Sequence, residues 1–68
     1  MESDMGKKAF RVGDRVVIDN DVSLVAVVVA VMLEYKTRSY KCAWFHEGAH
    51  YAEWFYPDRL TLHARPGS

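Results

Sequence analysis

Five residues carry the only catalytic-looking spacing in the chain: His46-Glu47-Gly48-Ala49-His50 satisfies the H-E-x-x-H pattern. On a helix that spacing sets two imidazoles on one face to hold zinc, with the glutamate beside the metal as base. Here the five residues lie between two aromatic-rich segments and include a glycine, so they read as a hairpin turn. Only 18 residues follow, too few for a second helix bringing a third ligand, and His63 would have to reach across the fold. The expectation is therefore no resident metal and no catalytic residue. Asp19-Asn20-Asp21 could suggest calcium, but it lacks the rest of an EF-hand loop and its closing glutamate. It reads as a turn.

The single cysteine, Cys42, excludes an internal disulfide. It sits between Lys41 and Ala43 in an alternating pattern and reads as a small buried hydrophobe. Nine Lys and Arg balance nine Asp and Glu, for a formal net charge of zero. Nucleic-acid binders of this size usually carry a basic excess. The cluster Lys36, Arg38 and Lys41 reads as a solvated loop, and nucleic acid is not an expected partner. The acidic start, Met1-Glu2-Ser3-Asp4, lacks the apolar core of a signal peptide, so the expected compartment is a reducing cytoplasm.

Aromatic side chains offer the most room for function. Tyr40, Trp44, Phe45, Tyr51, Trp54, Phe55 and Tyr56 fall within seventeen residues. Strand neighbours point to opposite faces, so Trp44-Phe45 and Trp54-Phe55 cannot all be buried on one side, and at least two large rings must face outward. Such rings can grip a peptide, a cationic group or another protomer.

The element that must position these groups is residues 24–33, ten in a row without a polar side chain. The run is half the length a membrane-crossing helix needs, which is about 20 residues. Five of its residues are Val, stiff in helices and well suited to a pleated surface. Strict alternation places Val25, Val27, Val29, Val31 and Leu33 on one face, and Leu24, Ala26, Val28, Ala30 and Met32 on the other. A strand apolar on both faces needs cover on both. In 68 residues, which bury only about 60% of their unfolded surface, that cover is a bend in the strand or a second subunit. The expected interface or binding residues are Val28, Ala30, Met32, Phe45, Tyr51, Trp54, Phe55 and Tyr56.

In order, residues 1–9 read as a flexible lead-in and residues 10–63 as the folded unit. Phe10 anchors a Gly13-Asp14 turn and a first strand through Ile18. The valine strand follows, then a polar connection over residues 35–39. Strands come next at residues 40–45 and 50–56, separated by a Glu47-Gly48 turn. Pro57-Asp58-Arg59 reads as a single helical turn before a last strand at residues 60–63, and residues 64–68 read as a flexible tail.

Val12-Gly13-Asp14-Arg15-Val16, Cys42-Ala43-Trp44-Phe45 and Trp54-Phe55 followed by Leu60 resemble the SH3-like small barrel. The order Gly-Asp, then Cys-x-Trp-Phe, is similar to that of small uncharacterised bacterial and phage proteins of this fold, a set with no established activity to transfer. The implied fold is all-β: an SH3-like five-stranded small barrel with a single helical turn before the last strand. Gly13-Asp14-Arg15-Val16 and Tyr56-Pro57 also resemble segments of the plasmid-borne type II dihydrofolate reductases, barrels that tetramerise around a pore. Ile18 stands where that family places a pore lysine, and Trp54-Phe55 where it has Gln-Ile, so no folate or nicotinamide cofactor is implied. The reading reached is a non-enzymatic cytoplasmic binding or assembly module that forms a homo-oligomer, a dimer or higher, and is able to take a peptide or protein ligand. Its rivals are an oligomeric enzyme with an interface-formed site and a nucleic-acid-binding barrel.

Overall fold

The valine run folds as a strand, and the chain is built outward from it. In the computed structural model, which describes residues 9–66, β1 spans Arg15–Ile18, β2 Val25–Glu34, β3 Thr37–His46, β4 Ala49–Phe55 and β5 Leu60–Ala64. A 3₁₀ turn, Pro57–Arg59, precedes β5. All strands are antiparallel in one sheet of order β4-β3-β2-β1-β5. β5 thus returns across the molecule to pair with β1. β4 and β5 form the two edges and do not pair with each other, so the sheet is open. The expected lead-in falls on residues outside those described, apart from Ala9. Among the described residues no helix is long and apolar enough to cross a membrane.

Tight turns join the central strands. Glu47 and Gly48 both take positive φ, 52° and 82°, as a two-residue hairpin turn demands. Asp19 and Asn20 do the same at 53° and 63°, where short polar side chains are tolerated best. The β2–β3 turn is shorter than expected. β3 begins at Thr37, so only Tyr35 and Lys36 connect the strands, with Tyr35 held at φ 58°.

β2 does not alternate strictly. Val28 pairs with Cys42, but Ala30 pairs with Lys41 and Val31 with Tyr40, so the register shifts by one residue at Val29. A β-bulge of this kind inserts one unpaired residue and exchanges the faces of everything beyond it. Ala26 and Val28 face the core before the bulge; Val31 and Leu33 take that side after it, opposite Tyr40 and Arg38. The expected sets of five are therefore corrected. Ala30 and Met32 lie on the face opposite Val28. The bulge leaves the strand's outer half, residues 31–34, exposed on both faces.

The core cluster lies on one side of the sheet, here called the inner face, while Val17 of β1 is buried on the other. Phe10, Val16, Ile18, Ala26, Val28, Tyr40, Cys42 and Leu60 form it, with Trp44 and Phe55 packed against its margin. The Tyr40 ring is fully buried, meets Phe10 edge-on at 5.2 Å and 90°, and its hydroxyl accepts the Phe10 amide at 3.3 Å.

Two arginines from the C-terminal part tie the sheet together. The Asp14 carboxylate is 1% exposed and accepts the Arg11 amide at 2.9 Å. The Arg65 guanidinium grips it with Nε at 3.2 Å from both oxygens and Nη2 at 3.0 Å from Oδ2. Hydrogen bonding from Arg65, with help from the Arg11 amide, holds the Asp14 carboxyl below its ordinary range. β5 runs one residue past the strand expected at residues 60–63, to Ala64, and Arg65 pins the chain just beyond it. Arg59 makes the second tie. Its Nε donates to Asp19 Oδ1 at 3.0 Å and its Nη2 to Oδ2, while the Asp19 amide donates to the Arg59 carbonyl at 2.8 Å.

Candidate functional site: an uncovered sheet face

The outer face of β2, β3 and β4 has no layer over it among the described residues. Register places Val27 beside Ala43 and Ala52, Ala30 beside Lys41 and Trp54, and Phe45 beside His50. The small alanines leave the larger side chains standing proud: Phe45 is 72% exposed, Trp54 45% and Met32 43%. At about 200 Å² per aromatic side chain, Phe45 and Trp54 alone present about 230 Å². Met32 and the half-buried Val27, Ala30, Ala43 and Ala52 carry the patch into the 300–600 Å² range, about the size of the largest and often functional patches on monomers. Phe45 leans on His50 at 5.1 Å and 51°.

The expected site residues divide among four places. Ala30, Met32, Phe45 and Trp54 share this outer face. Tyr51 and Phe55 point to the inner side, where Trp44 stacks on Tyr51 at 5.8 Å and 18° and meets Phe55 at 6.1 Å. Phe55 is further covered by the Arg59 guanidinium, 5.0 Å above its ring. Tyr56, 59% exposed, precedes the 3₁₀ turn. Val28 is the correction: it is fully buried in its own chain's core, paired with Cys42, and reaches no surface. The bulge one residue later is the physical reason.

The chemistry-bearing residues do not converge. His46 pairs with Ala49 and His50 with Phe45, which puts the two imidazoles on opposite faces of the hairpin. Among the described residues no three His, Cys, Asp or Glu side chains gather as a metal site. Cys42 is buried, and burial pushes its thiol up to about 11, so it holds little thiolate near neutrality. A hollow of about 290 Å³ is lined by Ala9, Phe10, Thr61, Leu62 and Arg65. Its one charged lining group, Arg65, is already committed to Asp14.

Sequence reasoning missed Arg65 and the Asp14 clamp. The pattern marks Asp14 as a turn residue bonding nearby amides, which it does through Arg11, but 51 residues separate it from Arg65. The available signal was a lone cation just past the last strand.

No protein-family model, curated protein or solved structure matches the chain.

Proposed function

We propose that this chain is a small non-enzymatic β module that self-associates through the outer face of β2, β3 and β4. The observation that carries the proposal is that Met32, Trp54 and Phe45 stand exposed along one face, linked by Ala30, Ala43 and Ala52, with no core of its own. In so short a chain the core cluster lies on one side of β2, β3 and β4, and the apolar groups opposite it gain from a partner. A second copy fits because the patch is mostly apolar, with Lys41 within it and Arg15 at its margin beside Val27, and a two-fold axis sets the same surface against itself.

The SH3-like small barrel belongs to the same proposal. It is supported by the return of β5 to β1, by the 3₁₀ turn just before β5, and by the Arg59–Asp19 tie that draws this turn toward the β1–β2 corner.

The test is the solution mass of the chain with Phe45→Ser and Trp54→Ser combined, by light scattering on a gel-filtration column. Neither ring belongs to the core cluster, so the variant is expected to stay folded and to lose mass relative to the parent. A folded variant of unchanged mass removes this face as the contact.

A further inference from the structure

Beyond Val28 the β2–β3 hairpin leaves the body of the sheet. Pairing of β1 with β2 ends at Arg15 and Val27, and the Gly13 amide and Asp14 carbonyl take the last bonds, to Val28, at 2.8 and 2.9 Å. β4 begins its pairing at Tyr40. Among the described residues, therefore, 29–34 of β2 have β3 on one side and no strand on the other, and Thr37, Arg38 and Ser39 have β2 alone. At about 3.3 Å per residue this two-stranded arm projects about 20 Å, and it contributes to the 42 Å long axis of the molecule.

A lone two-stranded ribbon is marginal in water, and the β2 strand of this one is apolar on both faces, with Thr37, Arg38 and Ser39 opposite it on β3. Val31 is 41% exposed and Leu33 63% on the inner side, Met32 43% on the outer, and Tyr35 at the tip 95%. Among the described residues no strand takes the backbone donors and acceptors of its outer edge. Residues 29–34 hold no Lys or Pro, the residues that usually blunt such an edge.

Charge selects the occupant and its direction. Glu34, at the tip, is the one charged residue of β2. At the root of the free edge, where β1 turns away, Arg11 and Arg15 are exposed. None of the three makes a side-chain ion pair among the described residues, although the Arg11 charge also acts on the nearby Asp14 carboxylate. Antiparallel docking of a second arm carries each Glu34 to the root of the other, beside those arginines. Parallel docking would set Glu34 against Glu34. Area points the same way. A stable interface takes about 800 Å² from each partner, more than the outer-face patch supplies, so an assembly held by that face needs a second contact such as the arm.

We propose that residues 29–34 of β2 pair antiparallel, about a two-fold axis, with the same residues of a second copy of this chain. The inference rests on the self-association reading and gives it a second contact. Edge pairing joins two five-stranded sheets into one of ten strands and lays both outer faces side by side. Packing two such sheets through those faces closes a tetramer with three perpendicular two-folds.

The two contacts separate by mass and by amide exchange on the full chain. The arm variant is Val31→Glu with Leu33→Glu, which repels its own copy and sets residue 33 opposite Arg38, a favourable pair within the chain. The face variant is Phe45→Ser with Trp54→Ser. The parent is expected at four chains, each variant at two, and the combination at one. In the face variant the amides of residues 29–34 that point away from β3 stay protected. An arm variant that keeps the parent's mass overturns the arm pairing and leaves the outer-face contact standing. A parent of one chain overturns both. Should the arm variant not fold, exchange on the parent decides: protection of those amides that rises with concentration supports the pairing, and free exchange at every concentration overturns it.

Discussion

Replacing Tyr40 by Phe removes one oxygen atom from the centre of the fold. The ring is fully buried, and its hydroxyl is the acceptor for the Phe10 amide. Tyr40→Phe keeps the ring and its edge-on contact with Phe10, and leaves that amide buried without a partner. An orphaned buried donor costs about 1–3 kcal/mol. The bond is 3.3 Å long, at the weak end of the range, which places the loss at about 1–1.5 kcal/mol. In a 60–100-residue domain each kcal/mol moves Tm by about 4–8 °C, so the midpoint is expected to fall by about 4–12 °C. Thermal unfolding followed by circular dichroism measures it at matched protein concentration, because self-association shifts Tm by mass action. Tyr51→Phe is the control, since that ring stands partly exposed and only stacks on Trp44. The Phe10 amide should also exchange faster in Tyr40→Phe. An unchanged midpoint with the Phe10 amide still protected would refute the anchoring of the N-terminal segment through Tyr40.

Arg65→Gln tests the Asp14 clamp through pH. Asp14 titrates below its unfolded value, so the stability it adds is present above about pH 4 and is lost as pH falls through the lower, folded value. The variant should melt lower at pH 7 and show a shallower decline on acidification; a profile parallel to the parent's would contradict the clamp. Cys42 should resist a thiol reagent at pH 8 until the chain opens, because burial pushes its thiol up to about 11; labelling at the rate of a free thiol would contradict that. Val28→Lys should unfold the chain, since it puts an unpaired charge in the core, whereas Met32→Lys should leave it folded and weaken association. A folded, dissociated Val28→Lys would return that residue to a surface.

Much of the architecture is legible in local pattern. The valine run, the polar corner at Asp19-Asn20-Asp21, the Glu47-Gly48 turn and Pro57 ahead of the last strand each carry their own short-range signal, and all five strands and the 3₁₀ turn follow from them. The bulge at Val29 does not. Register is read from which side is apolar, and Val25 to Leu33 are apolar on both sides, so a one-residue slip leaves no trace in composition. The Val28 assignment failed for that reason, while Ala30 and Met32 do reach the uncovered face with Phe45 and Trp54. The Asp14–Arg65 clamp was hidden differently, because a pairing across 51 residues is set by how β5 returns to β1.

Self-association is the central claim, and sedimentation of the unmodified chain from micromolar to millimolar concentration tests it most directly. The prediction is a species of several times 7.8 kDa that dissociates on dilution. A folded species of 7.8 kDa across the whole range would contradict it.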